Sequence, residues 1–394
     1  NTSPGLHHAL RNSDTRWTDP MKMKAVILTQ GGASAPYAQS QPLQVEEVDL
    51  APPKSNELLV RIGGAGLCHS DLSIINGSIP RALPMVMGHE GAGEIVEVGT
   101  GVTDVRVGDH VVFQFRSSCG RCRRCLEGRP ALCETAAKSK SNGELMSGGK
   151  RLSLDGEPIS HHSGISCMAE YAVVDRGTIV IVDKSLPLDE AALFGCAVMT
   201  GVGAVTNTAR VRPGDVVAIV GLGGVGLNAL LGAILGGAER IIAIDVSDDK
   251  LGLARQLGAT DTFNATDADC AAQVIELTKG GVDFAIETAG AIKAMETCYS
   301  ILRVGGKVIA AGIPPVTETF EFKPAQLVSE ERGILGSSMG SCVPVRDIPR
   351  YISLYQQGRL PVDKLIDARI GFEKINEGFD RLSSGAVVRQ ILVP

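Results

Sequence analysis

Val216-Val-Ala-Ile-Val220 runs directly into Gly221-Leu-Gly-Gly-Val-Gly226. An apolar strand followed by a G-x-G-x-x-G loop opens a dinucleotide-binding βαβ unit when a helix follows and an acidic residue ends the next strand. The sequence meets each condition. Val225 to Leu235 reads as a helix, Ile241-Ile-Ala-Ile244 as the next strand, and Asp245 closes that strand nineteen residues after Gly226. Gly221 permits the sharp turn, Gly223 lets the backbone approach a pyrophosphate, and Gly226 allows helix and strand to pack closely. Gly224 and Val225 stand at the helix N-terminus, whose unpaired N–H groups suit phosphates. Asp245 can accept hydrogen bonds from both hydroxyls of an adenosine ribose and would repel a 2′-phosphate, which favours NAD over NADP. A solvated strand-end aspartate is the plainer alternative.

The same alternation continues downstream, with Lys250 to Leu257 as a helix and Phe284-Ala-Ile286 and Lys307-Val-Ile-Ala-Ala311 as strands. Strands that are apolar on both faces and alternate with helices form a parallel, doubly wound sheet, so the fold class is α/β. Upstream, from Ala25 to about Phe115, short β-rich runs such as Glu57–Ile62, Gly93–Val98 and Asp109–Phe113 are punctuated by Gly and Pro. They predict a compact, mostly β domain with its function on loops. The β texture returns near Ile366 to Pro394, so the C-terminal segment is expected to complete that first domain. The expected boundaries are 23–197 for the first domain, 198–338 for the nucleotide-binding domain and 339–394 for the return segment. Residues 1–22 are polar at their start, lack the apolar stretch of a secretory signal, and are expected to be a leader or extension outside the fold.

A chain of 394 residues is long for one core, in keeping with two domains. Its 44% hydrophobic and 21% charged residues are those of a soluble globular protein, expected in the cytoplasm. A net charge of -6 without any block of basic residues favours neither nucleic acid nor an anionic membrane as partner.

Four cysteines crowd into Cys119-x2-Cys122-x2-Cys125-x7-Cys133. The spacing is too tight for several independent disulfides and suits one closed, structural zinc site in a lobe at 116–134, since four thiolates fill a tetrahedron. A catalytic metal must then lie elsewhere. Gly66-Leu-Cys68-His69-Ser70-Asp71 and Gly88-His89-Glu90-Gly91, together with Cys196, supply an open Cys2His set, the ligation of an alcohol-oxidising zinc enzyme. His69 follows Cys68 directly, and adjacent residues in an extended loop point apart. His110, His161 and His162 lack such context and read as surface or hydrogen-bonded structural residues. Cys167, Cys270, Cys298 and Cys342 read as buried small apolar residues. Arg121, Arg123, Arg124 and Arg129 make the cysteine lobe locally basic, which keeps open a zinc-stabilised interaction or nucleic-acid-binding protein, although the acidic chain favours a solvated lobe.

These motifs, with Gly195-Cys196-Ala-Val-Met-Thr200-Gly201, stand in the order and spacing of the zinc-dependent medium-chain alcohol dehydrogenases, and the chain resembles that family from about Met23 to Pro394. The resemblance implies a GroES-like catalytic domain beside a Rossmann domain, two zinc ions per subunit and NAD. It implies that Cys68, His89 and Cys196 hold the catalytic zinc, that Glu90 is a nearby or alternate ligand, and that Asp71 orients the zinc-bound histidine. Ser70 matches the hydroxyl that takes the substrate proton. Thr200 matches a residue beneath the nicotinamide, His69 and Arg389 match pyrophosphate contacts, and Lys250 matches a ribose contact. Ile79 and Phe115 match substrate-channel positions and imply a hydrophobic, medium-chain or aromatic primary alcohol or its aldehyde. Ser73 stands where many relatives carry a proton-relaying histidine. Ile79 stands where the glutathione-dependent formaldehyde dehydrogenases, the alternative branch, carry an aspartate. Homodimers and homotetramers are usual in the family.

Overall fold

The computed structural model describes residues 17–394. Most of the extension read at 1–22 lies outside the described residues, but Met21 and Lys22 belong to the first strand, Met21–Leu28, and so to the first domain rather than to the extension.

Six parallel strands form one sheet in the order Asp261–Asn264, Arg240–Asp245, Val216–Val220, Val282–Glu287, Leu302–Ala310, Gly333–Gly336. Strand order therefore reverses between Val216–Val220 and Val282–Glu287, which leaves a crevice at the carboxyl ends of these two strands. Val217, Ala218 and Ile219 are wholly buried, as strands covered on both faces must be. The helix Gly224–Gly236 follows and is buried from Gly226 to Ala233. A Cβ on Gly226 would lie 1.8 Å from the carbonyl oxygen of Gly221. Only a residue without a side chain lets the helix descend onto the strand end.

The first domain combines a closed barrel of short strands, Met21–Leu28, Leu43–Leu50, Leu152–Leu154, Glu157–His161 and Met85–Val86, with a sheet built around Glu57–Gly66. The C-terminal strand Arg389–Leu392 joins that sheet, placing Ile391 opposite Gly66 and Leu392 opposite Ala65. This return carries Arg389 from the chain end to the domain junction. One hydrophobic core runs from Phe194 and Cys196 through Val198 and Val202 to Val217 and Ile219, so the two domains pack on shared apolar residues. No single helix among the described residues is long and apolar enough to cross a membrane. The apolar bent pair Leu188–Gly195 and Ala197–Ala209 belongs to the protein interior, being buried from Ala191 to Val205.

A buried ion pair clamps the segment that precedes the strand Leu152–Leu154. Arg151 Nε donates to Glu57 Oε2 at 2.8 Å and Arg151 Nη2 to Oε1 at 2.5 Å, while Ser147 Oγ and the Lys54 N–H donate to the same carboxylate. Burial pushes the Glu57 carboxyl up, but these donors outweigh it and hold the group below its ordinary value. A carboxyl depressed by folding stabilises fully above its unfolded pKa, about 4.3, and loses that contribution as pH falls through the lower folded value. Glu57→Gln is expected to cost about 3–5 kcal/mol at neutral pH, because Arg151 keeps its charge without a counter-ion. Urea unfolding of both proteins at a series of pH values should show the gap closing below about pH 4.

Candidate active site

Cys68 caps the seven-residue helix His69–Ile75, and its N–H donates to Asp71 Oδ2 at 3.1 Å. His89 and Glu90 immediately precede the strand Gly91–Val98, and Cys196 immediately precedes the helix Ala197–Gly203. These three segments bring the ligand atoms of Cys68, His89, Glu90 and Cys196 within 4.8 Å of one another, all in buried side chains. Cys196 Sγ lies 3.7 Å from His89 Nε2. On the other side of the imidazole, Nδ1 stands 3.0 Å from Asp71 Oδ1, so the ring turns Nε2 toward the thiols. Burial pushes Asp71 up, but His89 and His162 outweigh it and hold its carboxyl well below the ordinary range. It stays an acceptor. Two thiols and an imidazole in a buried pocket are donors of the softness that zinc takes. Glu90 is occupied otherwise. Its Oε1 accepts the Ala197 N–H at 3.3 Å and its Oε2 pairs with the Arg389 guanidinium.

The sulfur atoms of Cys119, Cys122, Cys125 and Cys133 also gather within 4.8 Å of one another. Backbone N–H groups point at them, from Cys122 to Cys119 Sγ at 3.3 Å and from Cys119 to Cys133 Sγ at 3.4 Å. None of the ten cysteines forms a disulfide. Four thiols with converging N–H donors fit a closed tetrathiolate site. Cys167, Cys270, Cys298 and Cys342 are buried, as small apolar residues are. In the basic lobe Arg123 and Arg124 both pair with Glu127, at 2.7 and 3.0 Å.

A cleft of about 890 Å³ runs between the domains. Cys68, Cys196, Ser70 and Thr200 line one part of it; Gly221, Gly223, Gly224, Val225, Asp245 and Lys250 line another. His69 faces this cleft rather than the ligand set, in accord with its place beside Cys68. Asp245 is oriented at its strand end by accepting the N–H groups of Leu222 at 2.5 Å and Ser247 at 3.0 Å. A Cβ on Gly223 would meet nothing within 4 Å, so open space lies before the helix N-terminus. Beside that space Arg389 Nε is buried without a partner, and a Cβ on Gly224 would lie 2.5 Å from Arg389 Cδ. An open turn with an orphaned guanidinium donor fits a pyrophosphate. Arg389 thus touches both halves of the site, through Glu90 on one side and the glycine loop on the other.

Comparison with known proteins agrees with this geometry. A model of the alcohol dehydrogenase GroES-like domain matches residues 54–184, and a model of the zinc-binding dehydrogenase domain matches 224–357. A probable S-(hydroxymethyl)glutathione dehydrogenase 1 of Schizosaccharomyces pombe is 36% identical, over 91% of this chain and 96% of its own length. The chain belongs to the zinc-dependent medium-chain alcohol dehydrogenases. Among solved structures this alcohol dehydrogenase is similar to the benzyl alcohol dehydrogenase of Acinetobacter calcoaceticus, with 33% identity, a TM-score of 0.88 and coverage of 95% of this chain and 99% of that one. It is also similar to a zinc-binding dehydrogenase of Sinorhizobium meliloti solved with NADP, with 27% identity, a TM-score of 0.77 and coverage of 95% and 100%. The protein is an oxidoreductase of a family that works with zinc and a nicotinamide coenzyme.

Two features of this alcohol dehydrogenase escaped the sequence reading. His162, read as an isolated histidine, places Nδ1 3.1 Å from Asp71 Oδ1 and its ring edge-on to His89 at 4.9 Å between centroids. Burial pushes it down to about 4 against the pull of Asp71, so it is neutral. No spacing could have revealed it, because Asp71, His89 and His162 come from three separate segments. His161, in contrast, is a structural residue, its Nε2 accepting the Arg151 N–H at 3.0 Å. The second feature is a pair of cations beside Phe115, Lys140 with its ammonium 4.0 Å from the ring centroid and Arg116 lining the same recess.

Proposed function

We propose that the chain oxidises hydrophobic primary alcohols, medium-chain or aromatic, to aldehydes with NAD, and catalyses the reverse. The observation that carries this reading is the continuity of one cleft from the thiol-imidazole set, past Ser70 and Thr200, to the glycine loop and Asp245. Cys68, His89 and Cys196 would hold the catalytic zinc, and Cys119, Cys122, Cys125 and Cys133 the structural one. Bound there, zinc would supply Lewis acidity toward an alcohol oxygen and the coenzyme would supply hydride acceptance. Ser70 takes the proton from the substrate hydroxyl, Asp71 keeps His89 in one tautomer and orientation, and Glu90 holds Arg389 at the coenzyme phosphates. Thr200, at 7% exposure on its helix and lining the cleft, would support the nicotinamide. Ser73 Oγ donates to the His69 carbonyl at 2.9 Å, so its proton is engaged by the backbone and the relay leaves Ser70 by another path.

Phe115, Ile79, Leu132 and Met339 supply apolar wall to the cleft. Such a wall gains free energy with each methylene covered, about 0.8 kcal/mol, which favours benzyl or medium-chain alcohols over ethanol. The benzyl alcohol dehydrogenase among its structural relatives supports that class. Initial rates over ethanol, hexanol, benzyl alcohol and formaldehyde with and without glutathione test it. A strict requirement for glutathione would place the chain with the formaldehyde branch instead.

Coenzyme choice rests on Asp245. Its carboxylate suits the 2′- and 3′-hydroxyls and repels a 2′-phosphate. Asp245→Gly is expected to weaken NAD and relieve the repulsion of NADP, narrowing the preference by about tenfold or more in kcat/KM, each factor of ten being about 1.4 kcal/mol. Equal use of both coenzymes by the wild type would remove this role. Association into dimers or tetramers is supported by the unpaired sheet edge at Gly333–Gly336, where Leu335 is 41% exposed.

A further inference from the structure

Phe115 joins two environments. Its ring lies 4.4 Å from His89, centroid to centroid, and carries the Lys140 ammonium 4.0 Å from its centroid. Beyond it, a small recess shares Phe115, Arg116 and Ala131 with the main cleft and is closed by Lys140 and Ser163. Arg81, two residues past Ile79, lies close enough to feel the Arg116 charge, and both guanidiniums act on Lys140. Among the described residues no carboxylate lies within ion-pair distance of Arg81, Arg116 or Lys140. Arg81 Nη1 reaches only the adjoining Pro80 carbonyl, at 2.8 Å, and its Nε is buried without a partner.

Folding gives no reason for such a group. Arg81, Arg116 and Lys140 are partly buried, a partly desolvated cation without a counter-ion is costly, and the cations this chain buries fully are paired. Arg151 and Arg389, at 5% and 3% exposure, each face a glutamate. Burial and the two guanidiniums push Lys140 down, to about 7, which is the cost in question. An anion arriving with the substrate would relieve it. The recess itself holds only about 10 Å³ of free space, about one water and less than a carboxylate needs, so the anion would sit at its mouth, where Phe115 and Arg116 also line the main cleft and a flat carboxylate intrudes less than a phosphate.

We propose that the alcohol substrate carries a carboxylate at the end remote from its hydroxyl, received by Arg116 and Lys140 beside Phe115. The inference rests on the alcohol reading above and narrows it to hydroxy acids, and their aldehyde acids, with an apolar body. Phe115 covers the body, the Arg116 guanidinium offers paired N–H donors to the carboxylate, and the Lys140 ammonium adds a third. Carboxylates on a glutathione adduct share this chemistry, and the test separates the two.

The experiment compares kcat/KM of the two-zinc enzyme with NAD for benzyl alcohol, 4-(hydroxymethyl)benzoate and 4-(hydroxymethyl)phenyl phosphate. The carboxylate is expected to exceed the neutral alcohol by about tenfold or more. Arg116→Gln and Lys140→Met should each lower that ratio by about tenfold, chiefly through KM, while Lys140→Arg preserves most of it. Benzyl alcohol turnover by the same variant is the internal reference for folding. A wild-type ratio at or below one, a ratio unmoved by both variants, a preference for the phosphate, or anion preference confined to the glutathione adduct of formaldehyde would overturn the proposal. If none of the alcohols is oxidised, the alcohol reading falls, and calorimetry of benzoate against benzamide on the same protein decides the anion site separately. Tighter benzoate, lost in Arg116→Gln, upholds it; equal affinity overturns it.

Discussion

Cys196→Ala is expected to lower kcat/KM for benzyl alcohol by at least about 10³-fold and to reduce the zinc content from two per subunit to one. Lewis-acid activation is worth several kcal/mol, and about 4 kcal/mol is a thousandfold in rate. The fold should persist, because the loss at a site with 5% exposure is one sulfur atom at a helix start, and the ion pair of Glu90 with Arg389 still holds the C-terminal strand against the site there. Metal analysis and circular dichroism on the same sample separate loss of the ion from loss of structure. A Cys196→Ala protein that retained both zinc ions and full activity would remove Cys196 from the catalytic set.

Cys122→Ala acts on stability first. A structural zinc contributes its binding free energy to folding, about 10–16 kcal/mol in isolated fingers, and three remaining thiols cannot close the tetrahedron. The lobe contains little else to order it. The helix Arg123–Leu126 has no buried residue, and Leu126 is 76% exposed. The melting temperature is expected to fall by at least about 10 °C with loss of one zinc. Ala131 and Leu132, between the third and fourth cysteines, line the substrate cleft. Loosening the lobe should therefore raise KM for apolar alcohols more than it lowers kcat. Unchanged melting with one zinc missing would show that the cluster is not structural.

The parts of the site that were legible in the sequence are those where geometry dictates a residue type at a fixed spacing. Gly226 must lack a side chain because Gly221 stands against it, and a short lobe that closes around one metal brings its four cysteines close along the chain. Asp245 was legible for the same reason, as the end of the strand after the loop. The return of the C-terminal segment was readable from its β texture, although not its pairing beside Glu57–Gly66. His162 and the pairing of Arg116 with Lys140 beside Phe115 were not legible. They are assembled by tertiary packing from a loop, a strand end and the helix Glu134–Asn142, and no periodicity links such positions. Arg389 was placed at the pyrophosphate by resemblance alone; its ion pair with Glu90 appears only in three dimensions.

The central claim is hydride transfer from a primary alcohol carbon to NAD at a zinc-dependent site. Incubating the two-zinc protein with NAD and benzyl alcohol deuterated at its reactive carbon, then weighing the reduced coenzyme by mass spectrometry, tests it most directly. The account predicts one deuterium in every NADH formed and no NADH after the catalytic zinc is removed. Undeuterated NADH, or the same rate without that zinc, would contradict it.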